Sequence, residues 1–355
     1  MHGEYKEPGQ KLVVVDVEAD DGSGWESATV SQIRIAGDFF AEPEGVIGRL
    51  EDCLVGIPVD ATAEFVARQL EDTLRPGDVL FGVTPQGIAT AFRRAVGGAL
   101  DWDDLEPEVI HGPSVAPVVN VAMDETLVED VSAGKRKPFL RLWEWDSPQI
   151  VIGSFQSYEN EINQPGVDKH GITVSRRVSG GGAMFMEPGN CITYSLVVPT
   201  ALIEGMSFRD SYEFLDQWVM EALRRVGVEA RYVPLNDIAS DKGKIGGAAQ
   251  KRFANGYTLH HVTMAYDIDA QKMNECLRIG QEKIRDKGLR SAVKRVDPMR
   301  SQTGMSREDI ISAFEDTFAA RYGAGRGTIS EEDLQIAQQR VADKFSTEEW
   351  VHRVP

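Results

Sequence analysis

Residues 176–183 read Arg-Arg-Val-Ser-Gly-Gly-Gly-Ala and lie between two β-like runs, ITVS and CITYSL. Three successive glycines carry no Cβ and reach positive φ freely. The backbone there can approach a ligand closely and aim consecutive N–H groups at an anion. Arg176 and Arg177 set fixed charge beside it. A glycine-rich connection bearing a surface basic pair is the plainer alternative, and spacing alone leaves both readings open. Two familiar motifs are excluded. Phe185 occupies the place of the third glycine of a dinucleotide fingerprint, and no strand–loop–helix unit follows. Arg177, rather than glycine, stands two residues before Ser179, so the segment is not a nucleophile elbow.

A second unusual segment runs from Asn236-Asp237 to Lys244-Ile245-Gly246-Gly247-Ala248-Ala249-Gln250. Small residues after Lys244 allow close backbone packing, which can hold one ammonium near a phosphate or a reacting carboxylate. The competing reading is a hairpin tip with two solvated lysines, Lys242 and Lys244. A Walker A loop is ruled out because Ile245 follows Lys244 where Ser or Thr is required.

The remaining chain sets the frame. Its 355 residues call for about two domains. Acidic residues (56) outnumber Lys plus Arg (38), and the resulting charge of −18 repels phosphate backbones, so nucleic acid is not expected as a partner. No apolar run is long enough for a membrane helix or a signal peptide, so no membrane partner and a cytoplasmic location are expected. The three cysteines, Cys53, Cys191 and Cys276, are widely separated. They support neither a disulfide framework nor a metal knuckle. Cys191 sits in a strand-like run and is expected to be core packing rather than a nucleophile. His260 and His261 are adjacent, so in a strand they face opposite sides. One is expected to line a pocket and the other to face solvent.

KLVVVDV (11–17) and TVSQIRI (29–35) read as a hairpin, followed by helices over 45–56 and 61–74. The acidic, proline-bearing stretch 101–116 reads as a linker. Beyond it come a helix (NVAMDETLVEDV), strands (FLRLWEW, QIVIGSF), the glycine loop, another strand (CITYSLVV) and a helix over 211–227. That order predicts an α+β fold with a mixed, largely antiparallel sheet and flanking helices, preceded by a small N-terminal domain over 1–100.

Taken together, RRVSGGGAMFMEPGN (176–190), Asn236-Asp237 and KIGGAAQ (244–250) resemble the lipoate–protein ligase family, within the wider group of biotin and lipoate ligases. NVAMDETL (120–127), LRLW (140–143), PQIVIGSFQ (148–156), DKGLRSAVKRV (286–296) and FSTEEW (345–350) follow in that family's order, so the likeness spans 117–355. Residues 1–100 look like the lipoate-ligase accessory domain, placed here ahead of the catalytic one.

The resemblance implies an enzyme that activates lipoate or octanoate with ATP as an acyl-adenylate and passes the acyl group to a lysine of a lipoyl-accepting protein domain. A carboxylate is a poor electrophile, so activation is needed, and the crowded oxygens of that intermediate require cations and bare backbone N–H groups. By resemblance Lys244 is catalytic and bridges carboxylate and α-phosphate. Arg176 holds the acyl end or phosphate. Ser179, Gly180, Gly181, Gly182 and Ala183 line the adenylate and acyl tunnel, joined by Asn190, Asn236, Gly247, Ala249 and His261. Asp237 binds Mg²⁺ or orients Lys244.

Met186 and Val262 depart from the family's usual His and Gly, which bears on the acyl tunnel or the acceptor entrance. Three rivals follow. One is a cysteine-dependent octanoyltransferase using a carrier-protein thioester without ATP. It requires a thiol near Asn236-Asp237, where this chain has none. Another is a non-catalytic acyl or lipoyl-domain binder, which has no use for Lys244. A biotin ligase would carry a GRGR-type loop where this chain has RRVSGGG.

Overall fold

The computed structural model describes residues 1–20, 28–278 and 296–354. They form two compact units: Met1–Asp104 with Thr200–Ser211, and Leu105–Pro199 with Tyr212–Pro355.

In the first unit, β1 (His2–Lys6), β2 (Leu12–Asp20) and β3 (Thr29–Gly37) form an antiparallel sheet in that order. Alternation drives it: Val13, Val15 and Val17 are buried on one face, and Val15 pairs with Ile35 and Val17 with Ile33. A short ribbon, β4 (Phe40–Glu42) with β5 (Val79–Phe81), stands beside three helices, Val46–Leu54, Ala63–Thr73 and Pro85–Gly97. The first two fulfil the helical spacing. Val46, Leu50 and Leu54 of one, and Val66 and Leu70 of the other, are buried. The third lies so close to β1 that a Cβ at Gly3 would come within 2.2 Å of the Ala95 nitrogen. Arg94 fixes its end by donating to the carbonyls of Glu4, Leu100 and Leu202 and to Asp101.

The second unit is built on β6 (Glu108–Val115), β7 (Phe139–Trp145), β8 (Gln149–Ile152), β9 (Thr173–Arg176), β10 (Met184–Met186), β11 (Cys191–Pro199), β12 (Arg231–Val233), β13 (Asp237–Ala239), β14 (Lys244–Arg252), β15 (Tyr257–Ala265) and β16 (Gly325–Arg326). Among the described residues, eight of these form one sheet in the order β12-β13-β14-β15-β11-β7-β6-β16, and β10-β8-β9 form another. The large sheet is mostly antiparallel, with β6 parallel to β7 and β16. The expected α+β class with a mixed, largely antiparallel sheet is what the chain adopts.

One side of the large sheet is covered by helix Pro117–Ser132, whose Val121, Leu127 and Val128 are buried against Trp143, Val197 and Leu259. Trp218 sits edge-on to Phe314 and Phe318 and stacks obliquely on Tyr194, joining helices Gln217–Arg225 and Arg307–Tyr322 to the sheet.

Two expectations are corrected. Residues 101–116 are not a linker throughout: Glu108–Val115 is a sheet strand, with Val109 and Ile110 buried. Its prolines and acids hid the pattern, because Pro113 falls in a register break between His111 and Ser114 where no ladder bond is needed. The helix expected over 211–227 is divided at Asp216. No helix among the described residues is long and apolar enough to cross a membrane. The stretch 286–295 lies outside the described residues.

Candidate active site

Strands β14 and β15 form a hairpin whose small residues leave room beside the glycine loop that joins β9 to β10. Between them is a solvent-open cleft. Lys244, Asn236, Gly182 and His261 supply its polar wall, and Met184, Ile268 and Met273 its apolar end.

Lys244 opens β14, and its Nζ donates to Asp237 Oδ1 of β13 at 2.7 Å. The ammonium is about one-third exposed. Gly247 makes that fold-back possible, because a Cβ there would lie 2.9 Å from Lys244 Nζ. Gly246 is equally constrained, with a Cβ position 2.8 Å from the Thr263 carbonyl oxygen of β15. Asn236 donates from Nδ2 to the Ala248 carbonyl at 2.6 Å and receives the Ala248 N–H on its own carbonyl, locking the corner before β13.

The glycine loop is held from inside by Arg177. Its guanidinium donates to the carbonyls of Val151, Gly180 and Gly182 and, from Nε, to Ser179 Oγ at 3.1 Å. Burial pulls this arginine down to about 10, so it stays charged at neutral pH. Gly181 has φ +84°, and a Cβ on it would press on Arg177. A Cβ on Gly153, after β8, would lie 2.1 Å from the Gly181 oxygen. The tight loop therefore demands glycine on both sides of the contact.

Behind the cleft, Ser179 Oγ lies 2.6 Å from His261 Nε2, and His261 Nδ1 lies 3.1 Å from Asp124 Oδ2. Arg141 donates to Asp124 Oδ1 at 2.7 Å. Burial acts to raise the Asp124 carboxyl, but the His261 hydrogen bond and the Arg141 charge outweigh it and hold the group below the usual range. Burial lowers His261, so the ring is neutral near pH 7.

Lys244, Gly182, Ala183, Asn236, Gly247, Ala249 and His261 thus line the cleft. Ser179, Gly180, Gly181 and Asp237 do not line it but touch residues that do: Ser179 meets His261, the Gly180 carbonyl accepts from Arg177, Gly181 lies against Arg177, and Asp237 accepts from Lys244. Arg176 does not reach it. Its side chain is fully buried, donating to the carbonyls of Gly153, Gln156, Trp350 and Val351. Two adjacent arginines in extended chain face opposite ways, and it is Arg177 that turns toward the cleft. Asn190 is also elsewhere: its Oδ1 accepts from the Glu187 N–H and closes the turn before β11. His260 does not face solvent as expected. It is buried on the far side of β15, 2.6 Å from Asp216, which also accepts from the hydroxyls of Tyr194 and Tyr232. Sequence reading gave Asp124 and Arg141 no role, although they fall within NVAMDETL and LRLW; it is the fold that brings both to His261.

Asp237 is engaged by Lys244, and among the described residues no group of three His, Cys, Asp or Glu side chains is placed to hold a metal. Among the described residues, the donors here do not by themselves build a resident magnesium site. Such an ion would have to be carried chiefly by substrate phosphates.

Residues 116–319 match the lipoyl protein ligase A/B catalytic domain. The chain belongs to that family. Lipoate–protein ligase 1 of Staphylococcus aureus is 28% identical over 242 residues, covering 66% of this chain and 69% of that protein. Octanoyltransferase LipM of Halalkalibacterium halodurans is 26% identical over 265 residues, covering 67% and 95%. Among solved structures, a bipartite lipoate protein ligase from Thermoplasma acidophilum, described with its E2 lipoyl domain, superposes with a TM-score of 0.60 at 27% identity, covering 71% of this chain and 98% of that one. The lipoyl ligase A/B family therefore holds both ligases and octanoyltransferases among this chain's relatives.

Proposed function

We propose that this chain is an ATP-dependent lipoate–protein ligase, which forms an acyl-adenylate from lipoate or octanoate and transfers the acyl group to a lysine of a lipoyl-accepting domain. The observation that carries this reading is the Lys244 ammonium, oriented by Asp237 at the wall of a cleft whose other side is the Arg177-braced glycine loop. Lys244 holds the substrate carboxylate against the α-phosphate and stabilises charge on the oxygens between them. Gly182, Ala183, Gly247 and Ala249 present backbone without bulk, so the adenylate can lie close to the wall. Met184, Ile268 and Met273 receive the acyl chain. Magnesium bound to ATP would supply charge screening at the phosphates, and Asp237 acts by orienting Lys244. Residues 1–100 are read as the accessory domain on their resemblance.

A thiol-dependent octanoyltransferase mechanism is disfavoured by the one cysteine on the cleft. Burial pushes the Cys191 thiol up to about 12, and its Sγ faces the Phe185 carbonyl. Such a thiol is protonated and a poor nucleophile at neutral pH. The test is pyrophosphate exchange into ATP with lipoate, octanoate and biotin supplied in turn. Exchange dependent on lipoate or octanoate supports the ligase, and no exchange with any acid defeats it.

A further inference from the structure

Parity decides where the Lys244 ammonium points. Successive side chains of a strand alternate between its two faces, so residues three apart face opposite ways. Lys244 and Gly247 are three apart, yet Lys244 Nζ lies over Gly247 and reaches Asp237. The pairing of β13 with β14 resolves this. Asp237 is opposite Gly247 and Ile238 opposite Gly246, but Ala239 is opposite Lys244. Ile245 is therefore an extra residue, a bulge that returns Lys244 to the face shared by Ala239, Asp237 and Gly247. In an unbroken ladder Ala239 would pair with Ile245, and Lys244 would stand on the other face of the sheet. Register is weakly specified in glycine-rich strand, as at Gly246-Gly247, so the bulge needs an external hold. Asp297 grips both limbs of the turn. Ser240 Oγ, after β13, accepts the Lys242 N–H at 3.0 Å and donates to Asp297 Oδ2. On the other limb the Asp297 N–H donates to the Lys244 carbonyl at 2.9 Å, and Val296 bridges Lys244. The clamp is itself anchored: Asp297 is 7% exposed, its carbonyl accepts from the Gln302 amide at 2.9 Å, and Met299 beside it is fully buried.

We propose that Asp297 is a positioning residue for Lys244: holding Ser240 with its side chain and Lys244 with its backbone, it fixes the bulge at Ile245 and so aims the ammonium at Asp237 and the cleft. Asp297 does not itself line the cleft, so it acts through the lysine. The use made of that ammonium rests on the ligase reading; the direction in which it points does not. Asp297→Ala cuts the side-chain limb of the clamp. Ser240→Ala cuts the same link from its other end with a smaller change, and Asp297→Asn keeps an acceptor for the hydroxyl.

The test begins on the full-length protein without substrates. Trace labelling with acetic anhydride, read residue by residue by mass spectrometry, reports how freely each lysine amine reacts. Lys244, gripped by Asp237, is expected to label slowly, and exposed Lys242 is the internal reference. Asp297→Ala and Ser240→Ala should both raise Lys244 labelling toward that of Lys242, and Asp297→Asn should restore the slow rate. Unchanged Lys244 labelling in both alanine variants overturns the proposal. Pyrophosphate exchange then reads the consequence. Asp297→Ala should lower kcat by roughly 10²-fold, the scale expected for a small misplacement of a reacting group, with less change in KM. Added to Lys244→Ala it should cost almost nothing more, because no ammonium is left to aim. An equal loss on both backgrounds is what a merely structural role gives, and it contradicts the proposal. If the unmutated protein shows no exchange, the ligase reading fails while the labelling still decides the clamp.

Discussion

Lys244 Nζ and Asp237 Oδ1 meet at 2.7 Å across the β13–β14 pair, over the bare Cα of Gly247. The pair is held by sheet register rather than by loop flexibility, so the ammonium has a defined direction before any substrate enters. Preorganisation of this kind is where electrostatic catalysis draws its energy. Lys244→Ala should therefore reduce adenylate formation by roughly 10²–10³-fold with little change in melting temperature. Asp237→Asn, which keeps the shape but removes the charge that orients the lysine, should cost less. Pyrophosphate exchange and thermal unfolding of both variants check this.

Gly153→Ala places a methyl group 2.1 Å from the Gly181 oxygen. Backbone cannot yield there without moving the glycine loop, and overpacking costs about 1–3 kcal/mol. The expected result is a lower melting temperature together with weaker ATP and acid binding, whereas Gly182→Ala, where a Cβ meets nothing, should retain stability. Calorimetry and substrate titration separate the two.

Arg176→Ala should act on stability. Its guanidinium satisfies the carbonyls of Gly153, Gln156, Trp350 and Val351, tying the end of the chain to the loop after β8. Orphaning several buried acceptors costs at least about 3 kcal/mol. Denaturant unfolding should show that loss, and limited proteolysis should show earlier cleavage at the C-terminal segment.

His111 lies between Glu144 and Glu315, whose hydrogen bonds raise it from 6.5 to about 9. A raised folded pKa adds stability that is complete below the unfolded value near 6.5 and is lost as pH climbs through about 9. The side chain is nearly half exposed, so solvent screening keeps the effect modest. Melting temperature should decline across that window, and His111→Gln should flatten the decline.

Much of the site was legible because glycine carries information about space. The runs 180–182 and 246–247 announced close backbone approach, and the structure puts Gly181 against Arg177 and Gly247 against Lys244. The choice between Arg176 and Arg177 was not legible, since it depends on which side of β9 faces the cleft. Asp124 and Arg141 fell within quoted stretches, but their role was not legible because a buried charge pair in an apolar helix and strand leaves no local pattern; the fold brings them to His261. Strand β6 was hidden by Pro113, and helix Pro85–Gly97 by weak periodicity, its buried residues being consecutive and including Ala89, Ala91 and Ala95 beside Ile88 and Phe92.

The central claim is acyl transfer driven by adenylation, and intact-mass measurement of a lipoyl domain tests it most directly. With ATP, magnesium and lipoate, the account predicts that the domain gains one lipoyl group on its acceptor lysine, and that this gain survives Cys191→Ser but is lost with Lys244→Ala. If octanoyl carrier protein labels the domain equally well with no ATP present, and the label depends on a cysteine, the account is contradicted.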